Sequence, residues 1–453
     1  MTRGPRNDER CAGRAVRARV PRSTHGRWEP APGRPDPIAV LDGQNRDRVA
    51  DLVPVRWGRM LASPFAFLRG AAVVMAGDLA TTPVSGITVQ ACGDAHVANF
   101  GVFASPERIL LFDVNDFDET LPGPFEWDLK RLATSAVVVA RGAGRDDAVG
   151  VDAARAAVRS YRHHMRRYAA MGVLDVWYSR VDADAAVRAL GPALSEARRD
   201  TSRAALPKLT ELTDDGARRI VDHPPLVTHD VGYDEAGTFR PLLRSYRQSL
   251  DDDRRVLLDR FTLVDVARKV VGVGSVGTRC YIALLTSDVG EPLFLQVKEA
   301  DASVLAEPVG DTDDGPAPAV PGWQTPRPGR EGRRVVDGQK IMQAASDIFL
   351  GSAWWRGRDY YVRQLRDMKG TVDLAGLGAR ALVSYLELCG WTLARAHARS
   401  GPAACIAGYV GGGDVFDDAI SRFAVAYADQ TEHDHALLVD AVRSGRVVAT
   451  PGV

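Results

Sequence analysis

The sequence is poor in cysteine and lysine, has no excess of either charge, and contains no long apolar run. Its five cysteines are scattered over 453 residues without a Cys-X-X-Cys pair, which argues against a disulfide or zinc framework and favours a reducing cytoplasm. The longest apolar runs, such as residues 70–76, fall far short of the roughly 18 residues that span a bilayer, so we predict no membrane span. Basic and acidic side chains number 58 each, which removes the usual electrostatic argument for nucleic-acid binding.

Composition divides the chain into four segments. Residues 1–36 carry nine arginines among prolines, glycines and small residues, without helical or strand periodicity, and predict a disordered basic arm. Residues 37–255 contain two polar loops followed by helical patterns, and residues 256–370 have the pattern of a β-rich lobe. Within that lobe, six prolines and five glycines in residues 306–333 predict a mobile loop. Residues 371–453 predict C-terminal helices that complete the helical lobe.

Local patterns predict the individual elements. Runs of apolar and β-branched residues predict strands at 87–91, 108–112, 278–285, 293–298 and 359–365. Apolar residues at helical spacing predict helices within 46–80 and 151–205, and at 127–141, 335–350 and 380–399. Together these elements predict an α+β protein.

The first candidate site consists of two polar loops, Cys92-Gly-Asp-Ala-His-Val-Ala-Asn-Phe-Gly101 and Phe112-Asp-Val-Asn-Asp-Phe-Asp-Glu119. Phosphoryl transfer needs a carboxylate to accept the proton of the attacking hydroxyl, and an amide oxygen with a second carboxylate to hold Mg²⁺. Asp94 suits the base, Asn99 the amide ligand, and Asp113 or Asp116 the metal carboxylate. Ordinary turns are also rich in Asp, Asn and Gly, but two such loops flank one predicted hairpin, which favours a shared site.

The second candidate site is the glycine-rich segment Gly272-Val-Gly-Ser-Val-Gly277. A dinucleotide site with this spacing requires a helix after the glycines, whereas a strand pattern follows here and the next strand ends in Lys298. A glycine turn over phosphates followed by a strand lysine is the protein-kinase arrangement. We therefore predict that Gly272, Gly274, Ser275 and Gly277 cover the phosphates of ATP. The alternative is an ordinary hairpin with an exposed lysine.

Lys298 is the predicted contact to the α- and β-phosphates. Only six of the 58 basic residues are lysines, so this one was kept where arginine would have been the usual choice. In kinases such a lysine is held by an acid on the next helix. Asp337 is the predicted partner, with Glu307 and Glu299 as alternatives.

The two polar loops, with Trp127-Asp-Leu-Lys-Arg-Leu132 and Tyr360-Tyr-Val-Arg-Gln-Leu-Arg-Asp-Met-Lys369, resemble a bacterial family known as domain of unknown function 2252 over most of residues 45–435. The first loop also resembles that of aminoglycoside phosphotransferases and other kinase-like enzymes. This resemblance implies that Asp94 is the catalytic aspartate, Asn99 the first magnesium ligand and Asp113 the second.

The order of the motifs departs from that of ordinary kinases, because the glycine turn and Lys298 follow the catalytic loop instead of preceding it. Residues 388–397 are similar to the phosphotransferase helix that normally leads into the catalytic loop, yet they lie near the C-terminus. We therefore predict a circularly permuted, protein-kinase-like two-lobe fold in which this helix abuts Val89.

Three functions are compatible with these motifs, and a fourth conflicts with the strand pattern after the glycines. The first is an ATP- and magnesium-dependent phosphotransferase acting on a hydroxyl of a small molecule. Transfer of AMP to a protein and non-catalytic nucleotide binding use the same residues, and a Rossmann oxidoreductase requires a helix after the glycines. Arg56, Arg59 and Arg69, ahead of the catalytic loop, are candidates for binding an anionic acceptor, with ordinary surface pairing as the alternative.

Overall fold

A computed structural model gives the structure of residues 5–181, 199, 201–214, 216–229, 235–309, 330–365, 368–370 and 372–453. The architecture mixes helices with antiparallel sheets, which confirms the predicted α+β class. The helices within these ranges are α1 Pro5–Arg19, α2 Pro37–Asn45, α3 Val53–Leu61, α4 Pro64–Gly70, α5 Ala72–Ala80, α6 Phe125–Gly142, α7 Asp147–Tyr168, α8 Val173–Tyr178, α9 Ser202–Leu209, α10 Glu235–Ser249, α11 Asp252–Leu258, α12 Ala306–Val309, α13 Glu331–Met342, α14 Ala379–Ser400, α15 Ala403–Val410 and α16 Val415–Arg443. None of these described helices is both long and apolar enough to cross a membrane.

The strands are arranged in one larger sheet and three hairpin-sized ones. They are β1 Thr88–Ala91, β2 Phe100–Ala104, β3 Leu110–Val114, β4 Leu121–Pro124, β5 Thr210–Leu212, β6 Arg218–Ile220, β7 Val227–Thr228, β8 Phe261–Lys269, β9 Cys280–Ser287, β10 Pro292–Glu299, β11 Gly351–Trp355 and β12 Arg358–Gln364. The larger sheet has the order β11-β12-β10-β9-β8-β7, while β1 pairs with β4, β2 with β3 and β5 with β6. The central strand β10 is buried along its whole length, and it places Lys298 opposite Tyr361 and Cys280.

Two hydrophobic cores support this arrangement. The larger one joins the four short strands β1–β4 to helices α5, α6, α7, α14, α15 and α16. The second lies between the six-stranded sheet and α10, with Leu242 and Tyr246 packed on Leu295 and Val297. Burial of apolar surface at roughly 25 cal/mol per Å² makes both cores stabilising. The polar loops of residues 92–99 and 115–119 belong to the larger core, whereas the glycine turn belongs to the sheet.

Helices α2 and α4 begin with defined caps. Asp36 caps α2 by accepting a hydrogen bond from the Ile38 amide (2.9 Å), and Pro37 occupies the first turn. Ser63 caps α4 in the same way through the Ala66 amide (3.1 Å). Side-chain caps and an early proline satisfy or remove amide donors that a helix start would leave unpaired.

The strand predictions are confirmed within one or two residues, but the helix predicted at 335–350 is shorter. It runs from Glu331 and ends at Met342, because Gln343 adopts an extended backbone and its side chain donates to the Val114 carbonyl (2.7 Å). The next amide, of Ala344, donates to Asp113 (2.8 Å). Tertiary hydrogen bonds thus replace the helical ones at this end.

The prediction of a disordered basic arm at residues 1–36 is wrong for its described part. Residues 5–19 form α1, which packs on α15, and Arg17 Nε donates to the Tyr409 carbonyl (2.8 Å). Arg22 donates to the Val410 carbonyl (2.7 Å), and buried His25 contacts the Tyr409 hydroxyl (2.7 Å). These arginines bind carbonyl groups at the C-terminal end of α15, where the helix macrodipole favours cations. The pattern of apolar residues in the sequence does not indicate such contacts.

Residues 310–329 of the loop predicted at 306–333 lie outside the described residues. At its edges, residues 306–309 form α12 and residues 331–333 begin α13. The helical edges replace part of the predicted loop.

A histidine between two carboxylates predicts a pH-dependent stability. His229 contacts Asp222 (2.9 Å) and Asp265 (3.1 Å). Partial burial lowers the pKa of His229, but the two hydrogen-bonded carboxylates raise it on balance above the ordinary value. The charged form of His229 therefore stabilises the fold. This contribution is complete below the unfolded-state pKa of about 6.5 and is lost as pH rises through the folded-state pKa. We expect His229→Gln to lower the melting temperature at pH 5.5 and to have little effect at pH 9. An equal loss at both values would contradict the assignment.

Candidate active site

A cavity of about 530 Å³ lies between the polar loops, the glycine turn and helices α2, α4 and α5. Six of the predicted site residues line it: Asp94, Asn99, Asp116, Gly272, Gly274 and Ser275. Lys298 reaches the same place through contacts to Asp116 and Asp118. The tertiary structure thus joins two sets of residues that are far apart in the chain.

The first loop leaves β1 and is held by the first turn of α6. The amides of Cys92 and Gly93 donate to the Asp128 carboxylate (2.7 and 2.9 Å), which also contacts His397 of α14 (3.0 Å). Gly93 has φ +80°, and a Cβ there would lie 2.3 Å from the Glu119 carbonyl oxygen. Only glycine allows this close approach of the two polar loops.

Asp94 is partly open to the cavity and is oriented by a buried arginine. Arg131 Nε donates to Asp94 Oδ1 (2.5 Å), and His96 Nε2 lies 3.6 Å from Asp94 Oδ2. Burial raises the pKa of Asp94, and Arg131 opposes that rise. A carboxylate held in one orientation with a raised pKa suits a proton acceptor.

Asn99 joins the first polar loop to the second. Its Nδ2 donates to the carbonyl groups of Asp94 (3.0 Å) and Asp116 (2.9 Å), and its Oδ1 accepts from the Asp116 amide (2.7 Å). An amide oxygen has two acceptor positions, so one stays available for a cation. Asn99 therefore positions Asp116 and lines the cavity at once.

Asp113, proposed as a metal ligand, does not reach the cavity. It is fully buried, and both of its carboxylate oxygens accept from Arg395 Nη2 of α14 (2.6 and 2.8 Å). The amides of Val114 and Ala344 donate to it as well (3.0 and 2.8 Å). The prediction that Asp113 holds magnesium is wrong in this structure, because its oxygens are bound inside the core. Of the two aspartates proposed as the metal carboxylate, Asp116 is the one that faces the cavity.

Lys298 is paired with acids of the second polar loop. Its Nζ lies 3.4 Å from Asp116 Oδ2 and contacts Asp118 Oδ2, and the residue is 2% exposed. The alternative of an exposed hairpin lysine is therefore wrong. Burial raises the pKa of Asp118, as does neighbouring Asp116, while Lys298 lowers it. Asp118 also accepts from the Tyr361 hydroxyl (2.8 Å) and from Ser275 (3.3 Å).

The prediction that Asp337 pairs with Lys298 is wrong. Asp337 lies on α13 and pairs with Arg333 one turn earlier (3.2 Å), with a half-exposed carboxylate. Glu299, one of the alternatives, binds Arg279 and Arg358 instead. The lysine partner comes from a loop rather than from the next helix.

The glycine turn precedes strand β9, as predicted, and it follows the antiparallel strand β8, which the sequence did not predict. It is fixed from outside by residues 48–59. The Val49 amide donates to the Gly277 carbonyl (2.8 Å), and Arg59 donates to the Gly272 carbonyl. A Cβ on Gly274 would lie 3.3 Å from the Arg69 carbonyl oxygen, so the turn passes directly over the end of α4. Val49, which precedes α3, and Arg59 of α3 thus hold the turn over the cavity.

The C-terminal end of α14 contacts β1, as predicted. Ser400 Oγ accepts from the Gln90 amide (3.0 Å), and a Cβ on Gly401 would touch Val89. A helix from the last part of the chain therefore lies directly beside the strand that leads into the first polar loop.

Comparison with known proteins places the chain in one family. The model described as "Uncharacterized protein conserved in bacteria (DUF2252)" matches residues 48–441. The chain belongs to this family. No curated protein and no solved structure matches it. The DUF2252 match covers every residue that lines the cavity except Gly43, Gln44 and Asp47.

Several residues of the DUF2252 site escaped sequence reasoning. Asp128 and Arg131 hold the first loop, Asp118 holds Lys298, and the cavity also contains Glu119, Arg48 and Arg363. The quoted segment Trp127-Asp-Leu-Lys-Arg carried a signal for the first two, since an Asp and an Arg spaced by three residues lie on one helix face. The arginines carried none, because this sequence contains arginine throughout.

Two side chains of the cavity offer oxygen atoms of the kind that magnesium prefers. Asp116 Oδ1 is a buried carboxylate oxygen without a hydrogen-bond partner, and Asn99 Oδ1 lies at the neighbouring loop. Over the described ranges, no group of three or more His, Cys, Asp or Glu side chains forms a metal site of its own. Mg²⁺ commonly takes one or two protein ligands and completes its shell with water and phosphate oxygens. Asp116 and Asn99 are the residues that would hold it.

Proposed function

We propose that this protein is an ATP- and magnesium-dependent phosphotransferase acting on a hydroxyl of a small molecule, with a protein-kinase-like two-lobe fold in permuted order. One observation carries the proposal. A single cavity brings together a candidate base, a carboxylate with an unpaired oxygen and a glycine turn, and a buried lysine contacts that same carboxylate. Such a combination serves positioning and electrostatic stabilisation, which dominate phosphoryl transfer.

The order of elements around the glycine turn supports ATP as the donor. The turn joins β8 to β9, Lys298 lies on the next strand β10, and helix α13 follows in the chain. Kinases place a glycine-rich loop over the phosphates and their lysine on the third strand of the same sheet. Here Asp118 takes the role of holding the lysine, which the kinase resemblance assigned to a helix acid.

The arrangement at Asp94 supports transfer to a hydroxyl. The acceptor oxygen forms a bond to the γ-phosphorus, the bond to the β,γ-bridging oxygen breaks, and ADP leaves with that oxygen. Asp94 accepts the hydroxyl proton, and Arg131 keeps its carboxylate pointed at the cavity. Bound magnesium would neutralise charge on the phosphates. Lys298 binds the phosphates from the side of the sheet.

The contact between α14 and β1 supports the permutation. In the kinase-like order, a helix similar to residues 388–397 leads directly into the catalytic loop. Here its end touches Val89 and Gln90 although the chain does not connect them in that order. Helix α14 and strand β1 thus lie side by side, as in the kinase-like order, but the chain does not run directly from one to the other.

Isothermal titration with a non-hydrolysable ATP analogue, with and without Mg²⁺, tests the proposal. We expect magnesium-dependent binding that is weakened at least about tenfold by Lys298→Ala and by Asp116→Ala, since each removes a charged phosphate or metal contact. Asp337→Ala is the matched control, because its half-exposed pair with Arg333 lies outside the cavity. Unchanged affinity in both cavity variants, or absence of binding in the wild type, would refute the nucleotide site. Release of pyrophosphate instead of ADP in a turnover assay would indicate AMP transfer.

A further inference from the structure

We propose that Arg69, at the end of α4, binds the phosphoryl group while it is being transferred, as a cationic group supplied from within the same chain. This inference rests on the proposed function and adds a catalytic residue to it. Sequence analysis treated Arg56, Arg59 and Arg69 alike, but the structure separates them. Arg56 is fully buried and donates to Asn45 and Gln44, and Arg59 binds the Gly272 carbonyl, so Arg69 is the one of the three that lines the cavity.

Arg69 shares the cavity with the two carboxylates on which the chemistry depends. Asp94 and Asp116 both line the cavity with it and both raise its pKa, while burial lowers that pKa. A γ-phosphoryl group in transit lies between the base and the metal carboxylate, so the guanidinium is placed where negative charge develops.

The other cations in or beside the cavity all have hydrogen-bond or ion-pair partners, Arg48 through the Val276 carbonyl. Arg131 is paired with Asp94, Lys298 with Asp116 and Asp118, and Arg363 donates to Gln296 (2.9 Å) and to the Asn115 carbonyl (2.9 Å). Arg69 has no carboxylate within ion-pair distance in the described part of the chain, and its buried Nε has no hydrogen-bond partner. Its only directional contact there is with the Phe65 ring, 5.9 Å from Cζ. A half-buried cation whose buried donor is unused is completed favourably by an anion.

The contacts around Arg69 connect helix α4 to the loop that carries the candidate base. Arg131, which orients Asp94, also donates through Nη2 to the Leu68 carbonyl (2.9 Å), the residue before Arg69. Phe65, under the guanidinium, packs edge-on against His96 (6.1 Å between ring centres). These contacts fix α4 relative to the first polar loop. A preorganised guanidinium with planar, multiple donors is suited to phosphoryl oxygens.

The experiment compares Mg–ADP binding with and without aluminium fluoride, which mimics a phosphoryl group in transfer. Titrations use wild-type protein, Arg69→Gln, Arg69→Lys and the control Arg46→Gln, whose arginine is exposed at the end of α2 outside the cavity. Since transition-state mimics bind more tightly than ground-state ligands, we expect aluminium fluoride to tighten wild-type binding at least about tenfold. Arg69→Gln is expected to lose most of this gain while Mg–ADP affinity stays within about threefold, and Arg69→Lys to retain part of it.

The outcomes separate this inference from the proposed function. Wild-type protein that does not bind Mg–ADP would refute the function itself. Normal Mg–ADP binding with no gain from aluminium fluoride, or a full gain in Arg69→Gln, would overturn the role of Arg69 and leave the nucleotide site standing. Loss of Mg–ADP affinity itself in Arg69→Gln would also overturn it, because Arg69 would then bind the ground-state nucleotide. A full gain in Arg69→Lys beside a loss in Arg69→Gln supports a charge contact.

Discussion

Replacing Asp94 with asparagine is expected to reduce ATP turnover by at least about 10²-fold, because a positioned base contributes about 10²–10⁴ to proton transfer. Asparagine keeps the shape of the side chain but cannot accept the hydroxyl proton. Affinity for a non-hydrolysable ATP analogue should change by no more than a few fold, since the base acts in the reaction step. Release of ADP in the presence of a panel of hydroxyl compounds measures the first quantity, and isothermal titration the second.

Asp42→Asn is the matched control, because Asp42 is exposed on α2 and does not line the cavity. It should leave both turnover and affinity unchanged. Turnover that survives in Asp94→Asn would eliminate Asp94 as the base. A combined loss of affinity and turnover would instead assign Asp94 to nucleotide binding.

Asp113→Ala is expected to destabilise the fold by about 3–5 kcal/mol, because it leaves the guanidinium of Arg395 as an uncompensated charge in the core. Both side chains are at 0% exposure, and Arg395 joins α14 to β3 and to the Met342 carbonyl (2.7 Å). Urea-induced unfolding measures the change. Asp337→Ala, which removes a surface pair, should change stability by less than about 1 kcal/mol.

A double variant separates the structural role of Asp113 from the metal role that the sequence indicated. Asp113→Leu combined with Arg395→Met removes both charges and is expected to recover much of the stability lost by the single change. Magnesium-dependent nucleotide binding should persist in the double variant. If stability were unchanged in Asp113→Ala while magnesium dependence disappeared, Asp113 would be the metal ligand after all.

Chemical type and local pattern predicted much of the candidate site. The loops around Asp94 and Asn99, the glycine turn and the strand that ends near Lys298 all occur where the sequence places them. These predictions succeed because polar side chains in turns and apolar alternation in strands are local properties. The N-terminal helix was missed for the opposite reason, since α1 depends on the carbonyl groups of α15, which lies at the other end of the chain.

Local sequence pattern could not show which of two neighbouring carboxylates faces the cavity. Asp113 and Asp116 are three residues apart in the chain, yet Asp113 accepts from Arg395 in the core and Asp116 lines the cavity. The acid that holds Lys298 was equally hidden, because Asp118 and Lys298 meet only when the sheet packs on the second polar loop. By itself, the sequence determined the kinds of chemical group available, the α+β class and the position of the glycine turn. The tertiary structure decided which charges meet and which are neutralised, because desolvation and pairing depend on residues brought together from distant parts of the chain.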